Sequence, residues 1–178
     1  QNQRKNLELK PELTSSTEFG IETKLFNNRI SLDATYYRSS TNNQIVPVQV
    51  TPTSGFISKI INAGEIQNKG LELFLSAKIL TNQFKWDTSI NWSKNESLVV
   101  SLADGVDRLL LRNFFNVGVY AEVGETFGNI RGNAQAKDPV SGTPLVLPNG
   151  RVRWDEDQYL GNAQADWIGS LRNTFSYK

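Results

Sequence analysis

Hydrophobic and polar residues alternate along five stretches of this chain, and such alternation is typical of β-strands with one apolar and one polar face. The five predicted strands cover residues 18–26, 29–38, 70–78, 84–94 and 167–177. Asn27 and Asn28 separate the first two stretches, and asparagine tolerates the positive φ of a tight hairpin turn. The pattern therefore predicts an all-β chain in which the first two strands form a hairpin.

Two long segments, residues 39–69 and 96–166, interrupt the alternation. The second segment holds eight of the thirteen glycines and three of the six prolines of the chain. We predict that both segments are largely irregular, although residues 44–50 can extend a strand and residues 106–116 are the only candidate for a helix. The apolar stretches 51–61 and 109–115 within them are expected either to contact a partner or to pack internally.

The lengths of the connections favour one of two interpretations of the alternation. A soluble β-sandwich also places apolar residues on one face of each strand and polar residues on the other. Here, however, short and long connections follow each other in turn, as in outer-membrane barrels with short periplasmic turns and long extracellular loops. Aromatic residues near the strand ends suit the membrane–water interface of a barrel, although a sandwich could bury them in its core. They are Tyr36, Phe84, Trp86, Trp92, Trp167, Phe175 and Tyr177.

The polar faces of the predicted strands suit a barrel lumen that is filled with water or with a plug. Five strands cannot close a barrel, and an open sheet in lipid would leave two unpaired edges. The barrel interpretation therefore requires more chain than these 178 residues, and the absence of methionine agrees with a partial chain. The charged residues of the polar faces are Glu18, Glu22, Lys24, Asp33, Glu72, Lys78, Lys85, Asp87 and Arg172.

Composition limits the chemistry that the chain can perform. It contains 19 basic and 18 acidic residues, and it lacks histidine and cysteine. Catalytic triads, thiolate nucleophiles and the usual zinc sites are therefore excluded within this chain. A net charge of +1 without a basic stripe argues against nucleic-acid binding. We predict no enzyme activity, no catalytic residue, no cofactor and no metal site, and the sequence does not indicate which residues bind a substrate.

Short motifs occur in a characteristic order over nearly the whole chain. The most specific is the run from Asn62 to Leu73. The others are L-K-P-E at 9–12, T-S-S-T-E-F-G-I-E at 14–22, F-N-N-R-I-S-L at 26–32, Y-Y at 36–37, T-S-G-F at 53–56, F-K-W-D at 84–87, V-G-E at 123–125, L-G-N at 160–162 and N-T-F-S-Y-K at 173–178. This series resembles the late barrel strands of SusC/RagA-type TonB-dependent outer-membrane transporters of Bacteroidetes.

The resemblance implies that residues 1–178 are part of a single TonB-dependent receptor β-barrel domain of about 22 strands. The chain would supply an antiparallel sector of about five transmembrane strands, with extracellular loops at about 41–66 and 96–166 but without the plug or the N-terminal extension. The implied function is active import of a bulky nutrient, a glycan or a peptide, across the bacterial outer membrane. The implied partners are outer-membrane lipid, a SusD-like surface lipoprotein that acts as a lid, and TonB, which contacts a segment outside this chain.

Two other functions share the strand pattern, namely a passive porin-like barrel and a soluble secreted β-sandwich that binds ligands through its loops. One local motif departs from the resemblance. Many relatives carry an Asp-rich run before the Leu-Gly-Asn element, whereas here Asp155, Glu156 and Asp157 follow Arg151 and Arg153. This spacing does not reproduce a calcium loop, and adjacent loop acids without a pocket do not indicate a glycosidase, so we expect a solvated charged loop.

Overall fold

The described part of the chain is built from β-strands. A computed structural model describes residues 3–4, 6–62 and 64–178. Within these residues there are three sheets and one 3-10 turn at Pro52–Ser54, and no helix is long and apolar enough to cross a membrane. The strands are β1 (Gln3–Arg4), β2 (Leu13–Leu25), β3 (Ile30–Asn42), β4 (Ile45–Gln49), β5 (Ser58–Asn62), β6 (Glu65–Thr81), β7 (Phe84–Ser101), β8 (Arg108–Phe114), β9 (Val117–Glu122), β10 (Asn129–Gln135), β11 (Trp154–Asn162) and β12 (Ile168–Tyr177).

One compact unit comprises residues 13–42, 66–97 and 165–178, and we call its sheet the strand sheet. The order of its five strands is β12-β7-β6-β3-β2. The pairs β2–β3 and β12–β7 are antiparallel, with Phe19 opposite Tyr36 and Phe175 opposite Trp86. All five strands predicted from the alternation are confirmed. Four of them, β2, β3, β6 and β7, continue beyond the predicted ends on the side away from the short turns.

The apolar face of the strand sheet is exposed. Phe19 and Ile21 on β2 are 70% and 69% exposed, and Leu171 and Phe175 on β12 are 66% and 58% exposed. A β-sandwich would cover this face with a second sheet and bury it. An apolar face that remains open across five strands is instead typical of a barrel wall whose outer side meets lipid.

Short turns join the strands at one end of the strand sheet. Phe26, Asn27 and Asn28 have positive φ angles of 53°, 55° and 62°, which confirms the turn predicted at the asparagine pair. Only Asn82 and Gln83 separate β6 from β7. At the other end of the sheet the chain continues into residues 43–65 and 98–164, which belong to the second unit.

The second unit contains two sheets, so the prediction that residues 39–69 and 96–166 are largely irregular was wrong. Strands β8 to β11 form a four-stranded antiparallel sheet in the order β11-β10-β9-β8, which we call the loop sheet. A smaller sheet has the order β1-β5-β4. The predicted extension at residues 44–50 is confirmed as β4, whereas β5 was not predicted.

The helix considered for residues 106–116 is in fact strand β8. Leu109, Leu110 and Leu111 follow one another without a polar residue between them, so the stretch lacks the alternation of a half-buried strand. An irregularity in the pairing with β9 between Leu110 and Arg112 shifts the pattern further. Apolar runs of this length do not distinguish a strand from a helix by periodicity.

The small buried core of the second unit is tied together by backbone hydrogen bonds. Val99 has no exposed surface, and Ala121 and Ala136 are almost completely buried. The Val99 amide donates to the Glu125 carbonyl at 3.0 Å, and the Gly124 amide donates to the Val99 carbonyl at 2.8 Å. Gly124 has a φ of 84°, which a side chain would disfavour. The backbone hydrogen bonds of the V-G-E motif therefore attach the turn after β9 to the end of β7.

Candidate functional site

An ion cluster around one buried carboxylate connects the four strands of the loop sheet. Its centre is Glu122 at the end of β9, which is 8% exposed. The Arg131 Nε on β10 donates to both Glu122 carboxylate oxygens, at 2.8 and 2.9 Å, and the Arg108 Nε on β8 lies 3.5 Å from Glu122 Oε1. Asp157 on β11 accepts hydrogen bonds from the two Arg108 Nη atoms, the shortest at 2.6 Å. Two carboxylates and two guanidinium groups thus neutralise one another.

The electrostatics of the cluster keep Glu122 and Arg131 ionised. Burial by itself raises the pKa of Glu122, but hydrogen bonds from Asn129 and Arg131, with the charges of Arg131 and Arg108, hold that pKa below the ordinary glutamate value. The hydrogen bond to Glu122 raises the pKa of Arg131 in turn. Because neither group titrates near neutral pH, the cluster suits a structural anchor better than a proton donor or acceptor.

The side chains of two asparagines, joined by hydrogen bonds, connect the cluster to the end of β11. Asn129, which is 3% exposed, donates to Glu122 Oε2 at 3.0 Å. Asn162 donates to Asn129 Oδ1 at 3.0 Å and to the Phe127 carbonyl at 3.3 Å, and it accepts from the Gln164 amide at 2.8 Å. The described residues contain no buried side-chain nitrogen or oxygen without a hydrogen-bond partner. The Leu-Gly-Asn element thus ends β11 with a fully bonded asparagine.

The acidic run at residues 155–157 belongs partly to this cluster. Asp157 has a φ of 55° and lies where β10 and β11 lose register, and its carboxylate is paired with Arg108. Asp155 lies 3.5 Å from Arg153, and Glu156 is exposed. The prediction of a solvated loop was therefore wrong, because all three acidic residues lie in strand β11. The part of the chain that the structure describes contains no group of three or more acidic side chains that could hold a metal ion.

An open polar cavity of about 380 Å³ adjoins the ion cluster, and we call it the loop pocket. Arg131 and Asp157 form part of its wall. Tyr120 lies along Gly118, where a Cβ atom would come within 2.7 Å of the ring, so the glycine makes room for the phenol. Other side chains that line the loop pocket are Asn113, Phe115, Asn116, Asn133 and Glu156.

Several polar groups of the loop pocket are free to bind a ligand. Within residues 3–4, 6–62 and 64–178, no hydrogen bond or ion pair engages the side chains of Asn113, Asn116, Asn133 or Glu156. Each amide offers two donors and an acceptor, and the carboxylate offers acceptors only. Such a set can bind the hydroxyl groups of a glycan or the amide groups of a peptide.

The hairpin between β8 and β9 ends in two exposed aromatic rings. Phe114 and Phe115 are 72% and 85% exposed, and their rings meet edge to face with centroids 4.8 Å apart. Phe115 has a φ of 51°, which is unusual for a bulky residue. The apolar stretch 109–115 is therefore divided, because its leucines are half-buried in β8 while its phenylalanines face solvent. An exposed aromatic pair is a common feature of contact surfaces.

The run from Asn62 to Leu73, the most specific part of the resemblance, contains two hydrogen-bonding asparagines. Asn62 accepts from the Lys10 amide at 2.9 Å and donates to the carbonyls of Lys10 and Asn43 at 2.9 and 2.7 Å. It thereby joins the segment before β2 to the residues before β4 and at the end of β5. Ala63 of this run lies outside the described residues.

The second asparagine of the run, Asn68, belongs to a network on the polar face of the strand sheet. Ser97 donates to Asn68 Oδ1, Asn95 donates to Ser97 Oγ at 3.2 Å, and the Tyr37 hydroxyl donates to Asn95 Oδ1 at 2.9 Å. The ring of Tyr37 covers Gly70, where a Cβ atom would overlap it. The network locks β3, β6 and β7 in register.

The polar face of the strand sheet also carries a charged cavity of about 260 Å³ near the short turns. Lys78, Asp87 and Arg172, which the alternation places on the polar faces of β6, β7 and β12, line it together. On β2, Lys24 lies 3.0 Å from Glu22 two residues away, and both side chains are exposed. This charged, open face is what a water-filled or plugged lumen requires.

Aromatic residues cluster on the apolar face at the turn end of the strand sheet. The Phe175 ring stacks with Phe84 and Trp86, with centroids 6.1 and 5.7 Å apart. The Trp86 indole nitrogen donates to Asn173 Oδ1 at 3.0 Å, so its polar edge is bonded while its ring stays on the apolar face. Offset aromatic pairs with a bonded polar edge suit a membrane–water interface.

Comparison with known proteins gives a match along the whole chain. The family described as TonB dependent receptor-like, beta-barrel, matches residues 1–178. The TonB-dependent receptor P26 of Formosa agariphila is 26% identical over 188 residues, which cover 94% of this chain and 19% of the relative. The TonB-dependent receptor SusC of Bacteroides thetaiotaomicron is 30% identical over 104 residues, which cover 57% of this chain and 10% of SusC.

A solved structure shows the same fold. The RagAB peptide transporter superimposes with a TM-score of 0.72 at 24% identity, covering 94% of this chain and 20% of the matched one. The chain therefore spans between about a tenth and a fifth of the length of the proteins that it matches.

Proposed function

This chain belongs to the TonB-dependent receptor β-barrel family, and on that basis we propose that it forms wall and mouth of an active importer in the bacterial outer membrane. The whole protein moves a bulky nutrient, a glycan or a peptide, and TonB delivers the energy through a segment outside this chain. The observation that carries the proposal is the strand sheet, with an exposed apolar face and a charged opposite face. Its strands of 10 to 18 residues reach or exceed the roughly 9–11 needed to cross a membrane.

Residues 1–178 then belong to a single barrel domain, and further strands pair with the free edges of β2 and β12. The segments 43–65 and 98–164 connect strands at the end away from the short turns. Long connections of outer-membrane barrels lie on the extracellular side. The loop sheet and the smaller sheet are accordingly ordered parts of the extracellular loops, and this chain performs no covalent chemistry.

A SusD-like surface lipoprotein is the proposed partner at the mouth of the importer. The resemblance to SusC/RagA-type transporters implies this lid, and the exposed pair Phe114 and Phe115 at the tip of the β8–β9 hairpin is a suitable contact for it. Aromatic residues are enriched among the side chains that contribute most to protein–protein binding.

The loop pocket is the proposed contact for the nutrient. Its free amides and the Glu156 carboxylate lie beside an ion cluster that fixes β8, β9, β10 and β11 in place. A rigid wall lowers the entropic cost of ordering the site when the nutrient binds.

Growth measurements test the importer against a passive porin. In the source organism, the gene for the full-length protein and the gene for TonB are deleted separately, and growth is compared on polysaccharides and peptide digests as sole nutrients. We expect the two deletions to abolish growth on the same nutrient, because the import step needs TonB. Growth on that nutrient that depends on this gene but continues without TonB would show a passive channel.

The same strains test the loop pocket through the pair of substitutions Asn133→Ala and Glu156→Gln. We expect uptake of the nutrient to fall about ten-fold, because two hydrogen-bonding groups are lost or weakened. Asp104→Asn is the matched control, since Asp104 is exposed in the same unit but does not line the loop pocket. Equal uptake by the pocket variant and the control would show that the nutrient does not bind there.

A further inference from the structure

Three basic residues form a patch on the apolar face of the strand sheet, at the end away from the short turns. Arg38 on β3 lies opposite Thr17, on the same face as Tyr36 and Phe19. Lys94 lies two residues after Trp92 on β7 and therefore on the same face of the strand. Trp92 pairs with Gly169 and lies on the apolar face. Because strand residues two apart share a face, both cations point to the side that meets lipid.

Lys69 on β6 completes the patch, which we call the basic patch. Its Nζ lies 3.2 Å from Glu96 on β7, so these side chains share the face of Lys94. Lys69 and Glu96 are 56% and 51% exposed, and an exposed pair of this kind is weak and easily replaced by a stronger partner. Arg38 donates one hydrogen bond to Gln67 Oε1 at 3.2 Å, which leaves its charge unpaired among the described residues.

The charge of this face differs between its two ends. At the end that carries the basic patch, the three cations outnumber the two acids of that face, Glu96 and, by its position in β6, Glu65. At the turn end, the described residues of the same face are apolar, aromatic or uncharged polar, with the stacked rings of Phe84, Trp86 and Phe175 among them. A difference of this kind suits a membrane that presents anionic headgroups on one side.

We propose that the basic patch binds the phosphate groups of the glycolipid headgroup, lipid A, in the outer leaflet of the outer membrane. The inference relies on the outer-membrane location proposed above, because the end with the long connections then faces the outer leaflet, whose glycolipid is phosphorylated. Arginine and lysine are the usual ligands of phosphate oxygens, and basic residues at the border of the lipid-facing surface bind anionic lipid headgroups. The aliphatic stems of the three side chains cover apolar surface while their charged ends reach the headgroup.

The test uses the full-length protein, purified in detergent from the outer membrane and analysed by native mass spectrometry for bound lipid A. The variant carries Arg38→Gln, Lys69→Gln and Lys94→Gln together. We expect wild-type protein to retain lipid A and the variant to bind it at least about ten-fold more weakly, because charge-assisted bonds to phosphate are lost. A variant that retains as much lipid A as wild type would overturn the proposal.

The matched control carries Lys78→Gln, Lys85→Gln and Arg172→Gln, which remove three charges from the polar faces of β6, β7 and β12. We expect this control to retain lipid A. If the basic-patch variant does not assemble, wild-type protein is offered lipid A with and without its phosphates, and equal binding of the two forms would overturn the proposal. Displacement of lipid A by inorganic phosphate alone would identify a simple anion site and overturn it as well. Nutrient uptake is measured separately, so failure of import leaves this result unaffected.

Discussion

Replacing Gly70 with alanine should destabilise the full-length protein by about 1–3 kcal/mol, because the new methyl group has no space. A Cβ atom at residue 70 would lie within 2.7 Å of Tyr37 Cε1 and closer still to the end of the ring. The ring cannot move away cheaply, since the Tyr37 hydroxyl donates to Asn95 Oδ1 at 2.9 Å. The measurement is urea unfolding in detergent, followed by the change in electrophoretic migration between folded and unfolded barrel.

Gly20→Ala is the matched control for this prediction. Gly20 lies on β2, and its Cβ atom would meet Thr35 Oγ1 at 3.5 Å, an ordinary contact. Adding Tyr37→Ser to Gly70→Ala should recover part of the loss, because the smaller side chain leaves room for the methyl group. If Gly70→Ala unfolds at the same urea concentration as Gly20→Ala, Tyr37 does not restrict that position.

Replacing Arg131 with methionine should loosen the loop sheet by about 1–3 kcal/mol, since it removes the main partner of the buried Glu122 carboxylate from a partly buried ion pair. Among the described residues, Glu122 would keep the Arg108 guanidinium at 3.5 Å and the Asn129 amide at 3.0 Å as its partners. Hydrogen–deuterium exchange of the full-length protein should then show faster exchange in β8, β9, β10 and β11, with the strand sheet unchanged.

Arg153→Met is the control for the loop sheet, because the Arg153–Asp155 pair is exposed and spans 3.5 Å. We expect its effect to stay within about 0.5 kcal/mol. In the double variant with Arg131→Met and Glu122→Met, the backbone amides of the loop sheet should exchange more slowly than in Arg131→Met alone, since no unpaired Glu122 carboxylate remains. Unchanged exchange in Arg131→Met would show that the cluster does not hold the loop sheet together.

The strand sheet could be predicted because lipid and lumen impose different requirements on its two faces. Residues such as Phe84, Trp86 and Ile90 alternate with Lys85, Asp87 and Ser89, so a period of two is visible without further information. The end predicted for β7 was too early because Glu96, which lies on the same face as Trp92, is charged and paired with Lys69, so the alternation of apolar and polar residues stops there.

The loop sheet and its pocket could not be predicted for a different reason. Its strands are short, and irregular pairing next to Leu110, Arg131 and Gly132 shifts the alternation between faces. The ion cluster joins residues far apart in the chain, such as Arg108 and Asp157, which are 49 positions apart. Nothing in the local sequence around either residue indicates the other, and only the order of the strands brings them together.

The intact mass of the native protein, extracted with detergent from the outer-membrane fraction, tests most directly whether this chain is a sector of a larger barrel. The chain has a mass of 20.0 kDa and spans 20% of the matched transporter, so we expect a mass of about 100 kDa. Such a protein in the membrane fraction would agree with a wall built from many further strands. A native protein of about 20 kDa, recovered from the soluble fraction without detergent, would contradict the barrel.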